Sequence, residues 1–151
     1  MTNAISKDLS DQVVVITGGS RGIGFAAAQA IGDLGATVVI VGRNSSNLIS
    51  AMNSLVSQGV DADSICVDVA DGDATYEALT NHALASRADI LINSAGVMSE
   101  KMAKTLRTSQ QEWHRVMSIN LDGTFNTISA IGPQMATRKS GRIINVSACL
   151  G

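Results

Sequence analysis

The sequence predicts an α/β fold, a doubly wound parallel sheet of the Rossmann-like kind with about five strands in this chain. Three observations predict it. Short apolar runs recur with helical stretches between them; the first run, Val13-Val14-Val15-Ile16, leads straight into a glycine-rich turn; and the segment after that turn, Phe25 to Ile31, is rich in good helix formers. Four apolar residues in a row, with no polar alternation, read as a strand buried on both faces, as parallel sheets require when helices cover each side. Strict alternation of strand and helix then implies right-handed crossovers.

The turn, Thr17-Gly18-Gly19-Ser20-Arg21-Gly22-Ile23-Gly24, carries glycines in a G-x-x-x-G-x-G pattern that departs from the usual G-x-G-x-x-G. Glycines at this junction let the backbone turn tightly and approach a ligand without Cβ clashes. A helix starting here aims its free N–H groups and the positive end of its dipole at the turn, which suits a phosphate. The alternative is a plain strand-to-helix turn with glycines for packing. No Gly-Lys-Ser/Thr closes the turn, which excludes a P-loop.

Further strands are predicted at Val38 to Val41, Ile65 to Val67, Ile90 to Ile92 and Ile143 to Val146. Between the second and third, Leu48, Met52, Leu55 and Val56 mark one helical face. Tyr76, Leu79 and Ala83 mark the face of the next helix, which Asp71 or Asp73 can cap. The longest helix is predicted to begin near Ser109, where Ser109-Gln-Gln-Glu112 is a capping-box pattern. Its apolar stripe runs through Trp113, Val116, Met117, Leu121, Phe125, Ile128 and Ile131, and Asn120 falls within it. A buried amide must find partners or cost about 1–3 kcal/mol. Asn120 is therefore either bonded to a neighbouring strand or loop, or holds a water or a backbone bend beside an active site.

With 151 residues, the chain suits one dinucleotide-binding domain over 1–151. Hydrophobic residues make up 45% and charged residues 16%, ample for a core and against disorder. A net charge of −2 without a basic run argues against nucleic acid or an anionic membrane as partner. The first residues lack an apolar signal core, and a cytoplasmic location is expected. Cys66 and Cys149 lack metal-ligand spacing and are expected to be buried thiols; His82 and His114 are read as structural or surface residues, so no metal site is predicted.

Taken in order, these markers resemble the short-chain dehydrogenase/reductase family from about Asp11 to Gly151. They are the glycine turn, Asp68-Val69 after the third strand, Asn93-Ser94-Ala95-Gly96 after the fourth, and Trp113 through Asn120-Leu121-Asp122-Gly123-Thr124-Phe125. Gly141-Arg142-Ile143-Ile144-Asn145-Val146-Ser147 closes the series. The resemblance implies a hydride transfer between a nicotinamide coenzyme and a carbonyl or alcohol. It implies that Gly18, Ser20, Ile23 and Gly24 line the pyrophosphate and its ribose. Asp68 and Val69 would meet the adenine, with Asp68 accepting from the exocyclic amine; a turn or cap is the alternative for Asp68. Asn93, Ala95 and Gly96 would pass the sugar and nicotinamide, and Asn120 would support a catalytic proton relay.

Coenzyme choice turns on the adenosine 2′ position, just past the second strand. A carboxylate there suits NAD, and positive charge suits the NADP phosphate. The chain reads Gly42-Arg43-Asn44, with no acid, and Arg21 sits in the glycine turn. Two guanidiniums can fork onto one phosphate, so NADP(H) is predicted, the alternative being that either arginine is a solvated surface residue.

The chain departs from the family where the chemistry is expected. The family's Tyr-x-x-x-Lys pair is absent, and Tyr76, the one tyrosine, has no lysine four residues on. In the family register the catalytic serine position holds Ala148, with Ser147 one residue early and read as structural. The expectation is therefore the cofactor-binding half of an NADP(H)-dependent oxidoreductase, apparently incomplete at the C-terminus. Its fifth strand would be an apolar edge, and its long helix would lose a neighbour, leaving it to dimerise, as the resemblance implies, or to aggregate. A non-catalytic NADP(H)-binding or interaction module is the alternative.

Overall fold

The computed structural model describes residues 9–99 and 105–147. Five parallel strands form one sheet: β1 (Val13–Thr17), β2 (Thr37–Gly42), β3 (Ala62–Cys66), β4 (Ile90–Asn93) and β5 (Arg142–Asn145), in the order β3-β2-β1-β4-β5. Five helices connect or flank them: α1 (Gly22–Gly32), α2 (Ser45–Ser57), α3 (Gly72–Asn81), α4 (Gln110–Met117) and α5 (Gly123–Arg138). The chain winds outward from β1 to β3, then crosses back to β4 on the other side of β1. That reversal leaves a crevice at the C-terminal ends of β1 and β4, the place where open α/β sheets bind ligands.

β1 explains the two layers. All five of its residues are buried, and successive side chains point to opposite faces. Val14 and Ile16 pack with Val38, Ile40 and the inner residues of α1 and α2; Val13 and Val15 pack with Val39, Val41, Leu79, Ala130 and Ile131 beneath α3 and α5. Each face is apolar, so the uninterrupted apolar run is what a two-sided burial demands. At the base of the sheet Asp89 Oδ2 accepts from the Val13 N–H at 2.9 Å, and Arg138 Nη2 donates to the Ala88 carbonyl at 2.7 Å. No helix among the described residues is long and apolar enough to cross a membrane.

Several expectations are corrected. Strand β3 starts three residues earlier than the apolar run, because an edge strand pairing only with β2 tolerates the polar Asp63 and Ser64. On α2 the inner face is Leu48, Ala51 and Leu55, while Val56 is exposed. On α3 it is Thr75 and Leu79, while Tyr76 is exposed and Ala83 lies past the end of the helix, also exposed. Asp71 is the α3 cap, its Oδ1 accepting from Ala74 at 3.0 Å, and Asp73 lies in the first turn where it favours the dipole. Cys66 is exposed at the end of edge strand β3 rather than buried, and Cys149 lies outside the described residues. His82 is structural: its Nδ1 accepts from Ala85 and its Nε2 lies 3.3 Å from Asp63.

The long helix is the largest departure. Ser109 caps it as expected, Oγ accepting from the Glu112 N–H at 3.1 Å, but a π turn over Ser118–Asp122 separates α4 from α5. The wider turn shifts the phase of all that follows by about one residue, or about 100° around the axis. Ile119, Gly123, Thr127, Ile131 and Met135 therefore face inward, whereas Leu121 and Phe125 of the expected stripe are exposed; Trp113, on α4 before the π turn, is exposed as well, and no residue of α4 is buried. Strand β5 is an edge strand with Ile143 and Ile144 both partly open to solvent.

Close packing of α1 on the loop before β3 is testable. A Cβ at Gly32 would run into the Val60 side chain, itself buried. Gly32→Ala is expected to destabilise the fold by about 1–3 kcal/mol despite its better helix propensity. Urea unfolding should show this loss, and Val60→Ala in the same chain should recover much of it.

Candidate functional site

The crevice at the strand ends is a cleft of about 860 Å³. Its floor begins with the turn after β1. Gly18 leaves the strand with φ of +67°, and a Cβ there would stand 2.9 Å from the Ala95 Cα and the Ser94 carbonyl. A Cβ on Gly24 would strike the Gly18 carbonyl, so α1 can pass over the turn only without a side chain at that point. Gly22, with φ of +56°, has open space above it. The α1 N-cap is Arg21, which makes no side-chain cap, and no acid lies in the first turn. The first N–H groups of this helix are thus left to a ligand or water.

The opposite wall is the chain after β4. Thr17 Oγ1 accepts from the N–H groups of both Ser94 and Ala95, at 3.1 and 3.0 Å. Two residues further on, Asn120 bonds both main-chain polar groups of one residue of the same segment. Its Oδ1 accepts from the Val97 N–H at 2.8 Å and its Nδ2 donates to the Val97 carbonyl at 2.9 Å. Arg115 Nη2 donates to the Met98 carbonyl at 2.9 Å while Glu112 takes two N–H groups of that same guanidinium. Asn120 is thus bonded to a loop and borders the cleft, and it is exposed there rather than buried in an apolar stripe. The π turn supplies that orientation, putting Ile119 in the core and its neighbour on the cleft.

One end of the cleft lies beyond β2 and β3, where Arg43, Asp68 and Val69 line it. Asp68 Oδ1 accepts from the Ala70 N–H at 3.1 Å, a turn of the kind its sequence permits, while Oδ2 lies 3.7 Å from Arg43 Nη1. Val69 is buried and fixed from α5: Asn126 Nδ2 donates to its carbonyl at 2.8 Å, and Gly123 has no room for a Cβ against its side chain. Arg21 and Arg43 both border the cleft, and Arg21 also lines a shallower hollow of about 450 Å³ between α1 and α2 with Ser20 and Asn47.

Of the residues singled out from the sequence, Gly18, Ser20, Arg21, Ile23, Gly24, Arg43, Asp68, Val69, Ala95, Gly96 and Asn120 all line this cleft. Asn93 does not. Its side chain is buried, Oδ1 accepting from Thr127 Oγ1 at 2.7 Å and Nδ2 donating to Asn145 Oδ1 at 2.9 Å, so it ties β4 to α5 and β5. Ser147, read as structural, borders the cleft with Val146, because the ladder ends at Asn145 and strand alternation no longer governs it. Ala148 lies outside the described residues, and Tyr76 is on the solvent face of α3 away from the cleft. Thr17, named above only as the first residue of the turn, has a role that a lone hydroxyl ending an apolar strand could signal. Among the described residues, no group of three or more His, Cys, Asp or Glu could hold a metal ion.

A parallel sheet with this strand order, a bare helix N-terminus and a glycine turn at the switch point defines a protein of the dinucleotide-binding class. Comparison with known proteins narrows the class. The family model for short chain dehydrogenases matches residues 12–151, and the chain belongs to that family. It is 34% identical over 145 residues to a 3-oxoacyl-[acyl-carrier-protein] reductase of Synechocystis sp., covering 95% of this chain and 58% of the relative. A 3-oxoacyl-[acyl-carrier protein] reductase from Brucella melitensis, solved with bound NAD, superimposes with a TM-score of 0.87 at 37% identity, over 94% of this chain and 55% of that one. A metagenomic short-chain oxidoreductase in complex with NADP also gives 0.87, at 36% identity, over 94% of this chain and 64% of that one. The chain therefore spans a little over half the length of the relatives it matches.

Thr17 holds the two walls of the cleft together, so its replacement is informative. Thr17→Val keeps the shape but strips the acceptor from two amides, and a stability loss of about 1–3 kcal/mol is expected. Hydrogen exchange should accelerate at the Ser94 and Ala95 amides more than in the rest of the sheet.

Proposed function

We propose that this cleft binds NADP(H) and forms the coenzyme part of an oxidoreductase that moves hydride between the nicotinamide and a carbonyl or alcohol carbon. The observation that carries this reading is the uncapped α1 N-terminus facing a turn where Gly18 and Gly24 exclude side chains, with Arg21 and Arg43 on the rim. The residues present fit the coenzyme. First-turn N–H groups of α1, with Ser20 and Ile23 beside them, would hold the pyrophosphate and its ribose. Asp68 would accept from the adenine exocyclic amine, with Val69, anchored after β3 by Asn126 of α5, packing the ring. Ala95 and Gly96 leave room for the nicotinamide half, and Asn120 fixes the Val97 peptide that walls it. Asn93 supports this wall from behind through Thr127 and Asn145.

When bound, the nicotinamide supplies or accepts the hydride; the protein positions it and excludes water. NADP(H) is favoured over NAD(H) because no carboxylate directly follows β2 and because two guanidiniums line the cleft, where they would meet the 2′-phosphate. Similar proteins of known structure carry either coenzyme, so the choice falls to these side chains. A carbonyl substrate accords with the 3-oxoacyl reductase among the relatives. Exposed Trp113, Leu121 and Phe125 along the outer side of α4 and α5 suit a second copy of the chain, and a cytoplasmic site of action accords with the composition.

A second reading is a non-catalytic NADP(H)-binding or interaction module, and for residues 1–151 taken alone one observation bears on it. Tyr76, the chain's one tyrosine, lies on α3 outside the cleft and is followed by Thr80 where the proton-transfer pair would place a lysine. Residues 1–151 alone are expected to bind coenzyme with little or no ketone reduction, and robust turnover by the purified chain would overturn that.

Titration with each reduced coenzyme tests the main reading. NADPH is expected to bind more tightly, and Arg21→Ala or Arg43→Ala should each weaken NADPH about tenfold, the scale of a charge-assisted hydrogen bond, while NADH changes little. Equal affinity for the two, or tighter NADH, removes the claim.

A further inference from the structure

Taking the cleft as the NADP(H) site proposed above, we infer that Asp68 sets how strongly the site prefers NADP(H), by competing with the 2′-phosphate for the guanidinium of Arg43. Gly42 and Cys66 are register partners at the ends of β2 and β3, so the residues that follow them leave the sheet side by side. Arg43 Nη1 lies 3.7 Å from Asp68 Oδ2, and both residues line the cleft.

The two partners are not equally free. Asp68 is a fixed post: Oδ1 accepts from Ala70 at 3.1 Å, and its carbonyl accepts from the Asp71 N–H at 3.0 Å and from Thr75 Oγ1 at 3.3 Å. Arg43 has a long stem with a side chain 60% exposed, and the ion pair is its one ionic contact among the described residues. Its guanidinium can therefore swing between carboxylate and phosphate. A coenzyme bearing a 2′-phosphate must draw Arg43 from Asp68, or share it, and must also sit near a negative charge. A coenzyme with a free 2′-hydroxyl needs neither. The carboxylate thus opposes one coenzyme and is indifferent to the other at this position.

The adenine contact proposed for Asp68 does not confuse the measurement, because both coenzymes carry the same adenine. Any loss there cancels in the ratio of the two dissociation constants. Asp68→Asn keeps an Oδ1 acceptor for Ala70 and so preserves the turn, while removing the charge that holds Arg43. Exposed ion pairs are weak, so the NADPH-over-NADH preference is expected to rise about two- to fivefold.

Titration of NADPH and NADH into the unaltered chain, Asp68→Asn, Arg43→Ala and the double variant completes a cycle. The expected result is a rise in preference with Arg43 present and a clearly smaller one without it. Asp68→Ser, whose hydroxyl can also accept from Ala70, should move the ratio in the same direction. An unchanged or lowered preference in Asp68→Asn overturns the inference, as does an equal rise with and without Arg43, which would mean direct repulsion alone. If the unaltered chain binds neither dinucleotide, the coenzyme reading itself fails and the inference with it; if it binds both but the cycle shows no coupling, only the inference fails.

Discussion

The contact between the end of β1 and the start of the chain after β4 governs the remainder of the site. One hydroxyl, Thr17 Oγ1, accepts from two successive amides, and one glycine beside it lets main chain lie against main chain. A bulkier residue at 18 would push the two walls apart, and an apolar one at 17 would leave two donors unmet. With this contact made, the turn before α1 and the Ser94 to Met98 wall behave as one piece. The cleft is then defined by strands rather than by free loops.

Anchoring from the second side comes from α4, the π turn and α5. Asn120 holds both polar groups of Val97, Arg115 holds Met98, and Asn126 holds Val69. Each is a side chain satisfying a backbone group that irregular chain cannot pair in a ladder. The π turn makes this arrangement possible. By adding a residue to one helical turn it aims Asn120 at the cleft while its neighbour Ile119 stays in the core. A π turn at a site is a known compromise between helix regularity and local aim, and here it serves both walls of one pocket.

The electrostatics of the cleft are mixed rather than uniformly positive. Arg21 and Arg43 stand at the rim, and Asp68 stands among them with its charge partly spent on Arg43. Arg43 and Asp68 are well solvated, so the ion pair between them contributes modestly. The dipoles of α1 and of the glycine turn, by contrast, are fixed in place by the fold.

The sequence by itself determined the layers, the strand series and the glycine turn that floors the cleft. Apolar runs without alternation can be satisfied only between two helical layers, and glycines at a strand-to-helix junction fix where a ligand can approach. Those are local constraints, and local constraints are written in neighbouring residues. Tertiary structure alone decided the inward turn of Asn93 toward Thr127 and Asn145, the pairing of Arg43 with Asp68, and the outward face of Leu121 and Phe125. Each depends on residues far apart in the chain, or on a change of helical phase whose hydrogen bonds leave the apolar spacing looking unbroken. An amide that could serve a ligand and one that could serve the core are the same letters; the partners that three-dimensional packing brings within reach decide between them.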